Sequence, residues 1–92
     1  MNETSTAPAA ATGELLIQLA DKLTGYRPTD PMHEATRLAL AVVFAQRRYG
    51  YTTAAEVAER DVLRHAPRVR PEITRGEYAL LLRKAAAAGG QL

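Results

Sequence analysis

Leu38-Ala39-Leu40-Ala41-Val42-Val43-Phe44-Ala45 is the longest uninterrupted apolar run in the chain. Its eight residues are too few to span a bilayer, which takes about 20 in a helix. Helix boundary signals flank it. Upstream, Asp30-Pro31 offers an N-cap oxygen and a proline at the first helical position. Glu34 in the first turn suits the positive end of the helix dipole. Downstream, Gly50 is a stop. The expected helix runs from Pro31 to about Tyr49 and is apolar on every side. A helix apolar all round is buried all round. It is therefore expected as the central helix, or as half of a dimer interface carried by Leu38, Val42 and Phe44.

Working outward, the preceding segment reads as a helix from Thr12 or Gly13 to Thr24. Leu15, Leu16, Leu19, Ala20 and Leu23 fall on one face, and Gly25 suits a left-handed cap. The residues after Gly50 read as a third helix opened by Tyr51-Thr52-Thr53. Thr53 and Glu56 have capping-box spacing, and Glu56 to Arg60 is an i,i+4 ion pair. Pro67 stops that helix near Ala66. A loop follows over Pro67 to Ile73, with Val69 and Ile73 turned in and Arg68 and Arg70 turned out. Thr74 and Glu77 form a second capping box, opening a fourth helix that runs to about Ala88. Tyr78, Leu81, Leu82 and Ala85 are its apolar stripe, and Gly89-Gly90 close it. Residues 1–12 read as a disordered tail and residues 13–90 as a single domain. The fold class is all-α: a compact four-helix domain with helix-turn-helix-like order in its C-terminal half.

Composition narrows the chemistry. The 92 residues are 47% hydrophobic and 24% charged, with aromatics at only 5%. Alanine is abundant, so the core is built from small side chains and gains from self-association. No cysteine is present, and the only serine is Ser5 in the tail, which removes the usual nucleophiles. His33-Glu34 begins a zincin-like pattern that breaks at Arg37, and His65 suits a helix C-terminus. No glycine-rich phosphate loop and no paired carboxylates stand out. The expectation is a protein without catalytic activity, cofactor or metal, with no membrane segment, working in the cytoplasm.

Charge is unevenly distributed. The formal balance is +2, with ten of the twelve basic residues arginine. Residues 1–46 carry −2 and residues 47–92 carry +4. Arg60, Arg64, Arg68, Arg70 and Arg75 face only Asp61 and Glu72 within the densest stretch. Arg75 and Thr74 lie at a helix N-terminus, where backbone N–H groups attract anions. Gly76 in that first turn would let a phosphate approach the backbone. Arg47-Arg48-Tyr49-Gly50-Tyr51 interleaves basic and aromatic residues, a second pattern suited to phosphate and base contact.

Tyr51-Thr52-Thr53-Ala54-Ala55-Glu56-Val57-Ala58 resembles the opening of the helix-turn-helix in excisionase-type and MerR-type DNA-binding domains. The resemblance covers eight of 92 residues and includes one extra alanine. The short turn and the tryptophan-bearing basic helix of those domains do not follow it. It implies a helical DNA reader in which the fourth helix contacts the duplex. The leading expectation is a small dimeric DNA-binding or DNA-associated regulator of transcription. Its contacts are Arg60, Arg64, Arg68, Arg70, Arg75, Arg47, Arg48 and Thr74, on double-stranded DNA. The alternative is a protein-interaction module, an adaptor or inhibitor, that dimerises through the apolar second helix and has no nucleic-acid role.

Overall fold

A computed structural model describes residues 9–88. Four helices make the fold: α1 (Ala10–Gly25), α2 (Glu34–Tyr49), α3 (Thr53–His65) and α4 (Arg75–Ala87). No strand occurs among the described residues, only one isolated antiparallel bridge between Pro31 and Thr74. No described helix is long and apolar enough to cross a membrane. The tail expected over residues 1–12 is shorter than that. Ala10 to Thr12 form the first turn of α1, and Thr12 is buried. The rest of that tail, and the Gly89-Gly90 stop, lie outside the described residues.

The central helix is α1, not α2. Leu15, Leu16, Leu19, Ala20 and Leu23 are all buried, and α1 packs mainly on α4 while also touching α2 and α3. α2 packs mainly on α3 and buries only Ala41 and Ala45. Leu38 is 44% exposed and Val43 40%. The reason is one of supply. An all-round apolar helix needs neighbours on every side, and three short companions leave α2 at the edge. α3 meets it with buried Ala55, Ala58 and Val62. Side chains this small let helix axes lie close together.

The loop ends show a further departure. α2 begins at Glu34 with His33 as its N-cap, three residues later than Asp30-Pro31 suggests. Residues 28–32 are instead committed to α4. The Met32 amide donates to the Ile73 carbonyl at 2.9 Å. In return, the Arg75 amide donates to the Asp30 carbonyl at 2.9 Å and the Gly76 amide to the Pro28 carbonyl at 2.7 Å. The capping box of α4 forms as expected: the Glu77 amide donates to Thr74 Oγ1, and the Thr74 amide to Glu77 Oε1. In α3 the cap is Thr52, whose Oγ1 accepts from the Ala55 amide. With Thr52 as the cap, the third helical residue is Ala55, which has no carboxylate to return the bond. The expected Thr53–Glu56 box therefore does not form. Gly25 ends α1 without a positive φ, so the left-handed cap is also absent.

Two polar side chains fasten the end of α3. Arg37 of α2 is 13% exposed; it donates to the carbonyls of Leu63 (2.8 Å) and Ala66 (3.3 Å) and pairs with Glu34 at 2.6 Å. A cation is well placed there, against the negative end of the α3 dipole. Tyr78 of α4 is buried, and its hydroxyl donates to the Pro67 carbonyl at 2.5 Å. Burial pushes the Tyr78 phenol above its ordinary pKa, and the Arg37 charge only partly opposes that.

Two pairs of measurements test this architecture. A Cβ at Gly76 would sit 3.2 Å from the Pro28 carbonyl oxygen, whereas one at Gly25 meets nothing within 4 Å. Gly25→Ala should raise stability by about 0.5–1 kcal/mol, since alanine is the better helix former. Gly76→Ala should lower it by about 1 kcal/mol, because the clamp must open to admit the methyl group. Urea melts in which both variants move in the same direction would refute the clamp. Tyr78→Phe should cost about 1 kcal/mol at pH 7 through the lost hydroxyl bond. A raised folded pKa means that stability is fully present below the unfolded value near 10.0 and declines as pH rises past it. The gap between wild type and Tyr78→Phe should therefore narrow as pH rises above 10.0. A constant gap would show that the phenol is not held neutral by the fold.

Candidate nucleic-acid interface

Arg60 and Arg64 project from the outer side of α3, opposite its buried Ala55, Ala58 and Val62. Arg64 lies 4.0 Å from Asp61, its own side chain largely exposed and that of Asp61 partly so. Such a pair contributes little. The expected Glu56–Arg60 ion pair does not form. Glu56 instead lines a shallow depression with Gln46 and Tyr51.

The loop between α3 and α4 is shaped by its prolines. Ala66 is extended, as a residue preceding proline should be. The Ile73 amide donates to the Arg70 carbonyl at 3.3 Å across Pro71-Glu72, and Glu72 has a φ of 65°. Proline second and positive φ third is the pattern of a type II turn, normally completed by glycine. The turn buries Ile73 and half-buries Val69 while Arg68 and Arg70 remain exposed. Arg70 borders an open cleft of about 510 Å³ with Pro71, Ile73, Glu77 and Leu81. Arg60, Arg68 and Arg70 make no ion pair with any other described residue.

The α4 N-terminus is not available to an anion. The first three helical amides donate to Asp30, Pro28 and Thr74 oxygens, respectively. Gly76 permits close approach of the Pro28 carbonyl, not of a phosphate. Thr74 spends its hydroxyl as the cap acceptor. Arg75 turns toward the end of α1, its Nε donating to the Tyr26 carbonyl at 3.1 Å.

The Arg47–Tyr51 segment does not act as one unit. The Arg47 guanidinium lies 5.0 Å from the Phe44 ring centroid. Arg48 pairs with Glu14 of α1 at 2.7 Å, a bond that raises its pKa further. Tyr49 packs against the core, while Tyr51 is 89% exposed. On the other face of the question, Leu38 is exposed, but Val42 and Phe44 are half-buried, with Phe44 packed on the core.

A cluster with no counterpart in the sequence reading lies at the end of α1. The Tyr26 ring has Lys22 Nζ at 5.8 Å, the Arg27 guanidinium at 5.4 Å and the Arg75 guanidinium at 5.8 Å from its centroid. Lys22 and Tyr26 have helical i,i+4 spacing, a signal visible in the sequence. Arg75 arrives from 49 residues away and leaves no local signal. His33 is exposed, His65 is the last residue of α3, and no group of three or more His, Cys, Asp or Glu side chains that could hold a metal occurs among the described residues. No family model, no curated protein and no solved structure matches the chain.

Proposed function

We propose that the chain binds the phosphate backbone of duplex DNA through the α3–α4 corner. One observation carries this reading. Arg27, Arg37, Arg48, Arg64 and Arg83 each pair with a carboxylate, whereas Arg47, Arg60, Arg68, Arg70 and Arg75 do not, and of these Arg60, Arg68 and Arg70 fall on α3 and the loop that follows it. Unpaired guanidinium groups on one exposed segment suit phosphate oxygens, which accept bidentate bonds and lose counterions on contact. The α4 first turn is packed against residues 28–32, so it is not free to enter a major groove as a reading helix. The supported activity is therefore backbone contact with little base discrimination. Arg48 and Arg64 already have partners, and Arg75 belongs to a different cluster.

Fluorescence anisotropy with a random-sequence duplex tests this. Binding should weaken as salt rises, with each lost phosphate contact removing about one unit from the log–log slope. Arg60→Gln, Arg68→Gln and Arg70→Gln together should flatten the slope by about three units. Arg83→Gln, which disrupts only the pair with Asp21 at 2.7 Å, should leave it unchanged. No binding at about 50 mM salt, or equal slopes for wild type and the triple variant, would refute the reading.

A second reading, association through α2, has its own support in the exposure of Leu38 and Val43. If α2 forms a homodimer, Leu38→Glu should halve the mass seen by light scattering while the far-ultraviolet spectrum stays helical. A wild-type monomer at all accessible concentrations excludes this second reading. Phe44 is unsuited to that test because its substitution would disturb the core.

A further inference from the structure

We propose that the Tyr26 corner is a second phosphate contact, built from Lys22, Arg27 and Arg75 around the Tyr26 ring. This rests on the nucleic-acid reading above and extends it to a surface made by a different pair of elements.

The geometry concentrates like charges. All three cations lie within 5.8 Å of one ring centroid, so no two are further apart than twice that distance. That spacing is comparable with the Debye length of about 8 Å at physiological salt, so their mutual repulsion is only partly screened. The negative face of the ring offsets some of it. Acidic compensation is thin. Asp30 reaches Arg27 at 3.5 Å, with both side chains well exposed, and Asp21 is engaged by Arg83 at 2.7 Å. Three cations against one loosely held carboxylate leave two positive charges uncompensated.

The arrangement is also held in place. Arg75 Nε is anchored on the Tyr26 carbonyl, which leaves its terminal nitrogens without a hydrogen-bond partner among the described residues. Arg27 has a φ of 54°, a left-handed conformation unfavourable for a residue with a Cβ. The fold maintains that conformation at the very residue that supplies the third cation. Tyr26 is 55% exposed, so the corner is open to a large ligand. With cations already over the ring, a stacked base has no clear face to occupy. A phosphate oxygen, by contrast, meets two guanidinium forks and an ammonium group. The tyrosine hydroxyl supplies one further donor.

The test uses the full chain with two probes. Inorganic phosphate, followed by proton–nitrogen NMR, should shift the amides of residues 22–30 and the Nε–H signals of Arg27 and Arg75. Lys22→Gln with Arg27→Gln should abolish those shifts while the melting temperature stays within a few degrees of wild type. The same pair should flatten the DNA salt slope by about two units, independently of the Arg60, Arg68 and Arg70 contribution. Phosphate shifts absent from this corner would overturn the proposal. So would an unchanged DNA slope in the Lys22/Arg27 variant of a chain that binds DNA. If the chain binds no duplex but phosphate still shifts these residues, the DNA reading falls and the anion site stands.

Discussion

The backbone clamp between residues 28–32 and 73–76 determines more of this molecule than any side-chain contact. Two amides of the α4 first turn donate to carbonyls of Pro28 and Asp30, and the Met32 amide answers to Ile73. A helix start leaves four amides without internal partners, and leaving such a group buried and unbonded costs about 1–3 kcal/mol. Here a loop from the other half of the chain supplies acceptors. The consequences propagate. α2 must begin late, because Asp30 and Met32 are bonded to the start of α4 and cannot also be its first turn. Residue 76 suits glycine, because a Cβ there would crowd the Pro28 carbonyl. Arg75 is delivered to Tyr26, which creates the three-cation corner.

Arg37 provides the corresponding tie for the other loop. Its guanidinium spans α2 and the last carbonyls of α3, and Tyr78 holds the next carbonyl from α4. Both devices place polar groups where an alanine-rich core has little area to bury. Small side chains give up hydrophobic stabilisation, so directed bonds add to the burial of Met32 and Ile73 in holding the loops. The arginine content thus has two structural explanations before any ligand is considered: capping carbonyls, as Arg37 does, and joining elements, as Arg48 and Arg83 do with α1.

Much of the helical order was legible in local sequence. The Leu15–Leu23 stripe, Thr74 with Glu77, and the proline after Ala66 each act within about one turn, and each behaves as its chemistry suggests. What was not legible involves distance along the chain. Asp30-Pro31 has the composition of a helix start, but the Asp30 carbonyl is claimed by the Arg75 amide, more than forty positions later. The Leu38–Ala45 run carries the composition of a buried helix, yet burial depends on neighbours that the run itself cannot specify. The arginines show the same division. Spacing identified Arg68 and Arg70 as outward-facing, because a two-proline loop has few ways to turn. It gave no hint that Arg48 reaches Glu14, or that Arg75 leaves the α3–α4 corner for the end of α1.

The split between a −2 half and a +4 half therefore resolves into two kinds of charge. Some arginines of the basic half cross to the acidic half and bind α2 and α4 to α1. Of the others, Arg60, Arg64, Arg68 and Arg70 stay on α3 and the loop after it, Arg75 lies beside Tyr26 and Arg47 over Phe44. These populations differ in their response to salt. Exposed ion pairs contribute about 0–1 kcal/mol each, so screening them changes stability little. Phosphate contacts release condensed counterions, and their loss with salt is steep and additive in the number of contacts. Under the proposed DNA-backbone reading, a salt titration separates binding from unfolding, because the fold is held by backbone clamps and carbonyl caps rather than by exposed ion pairs.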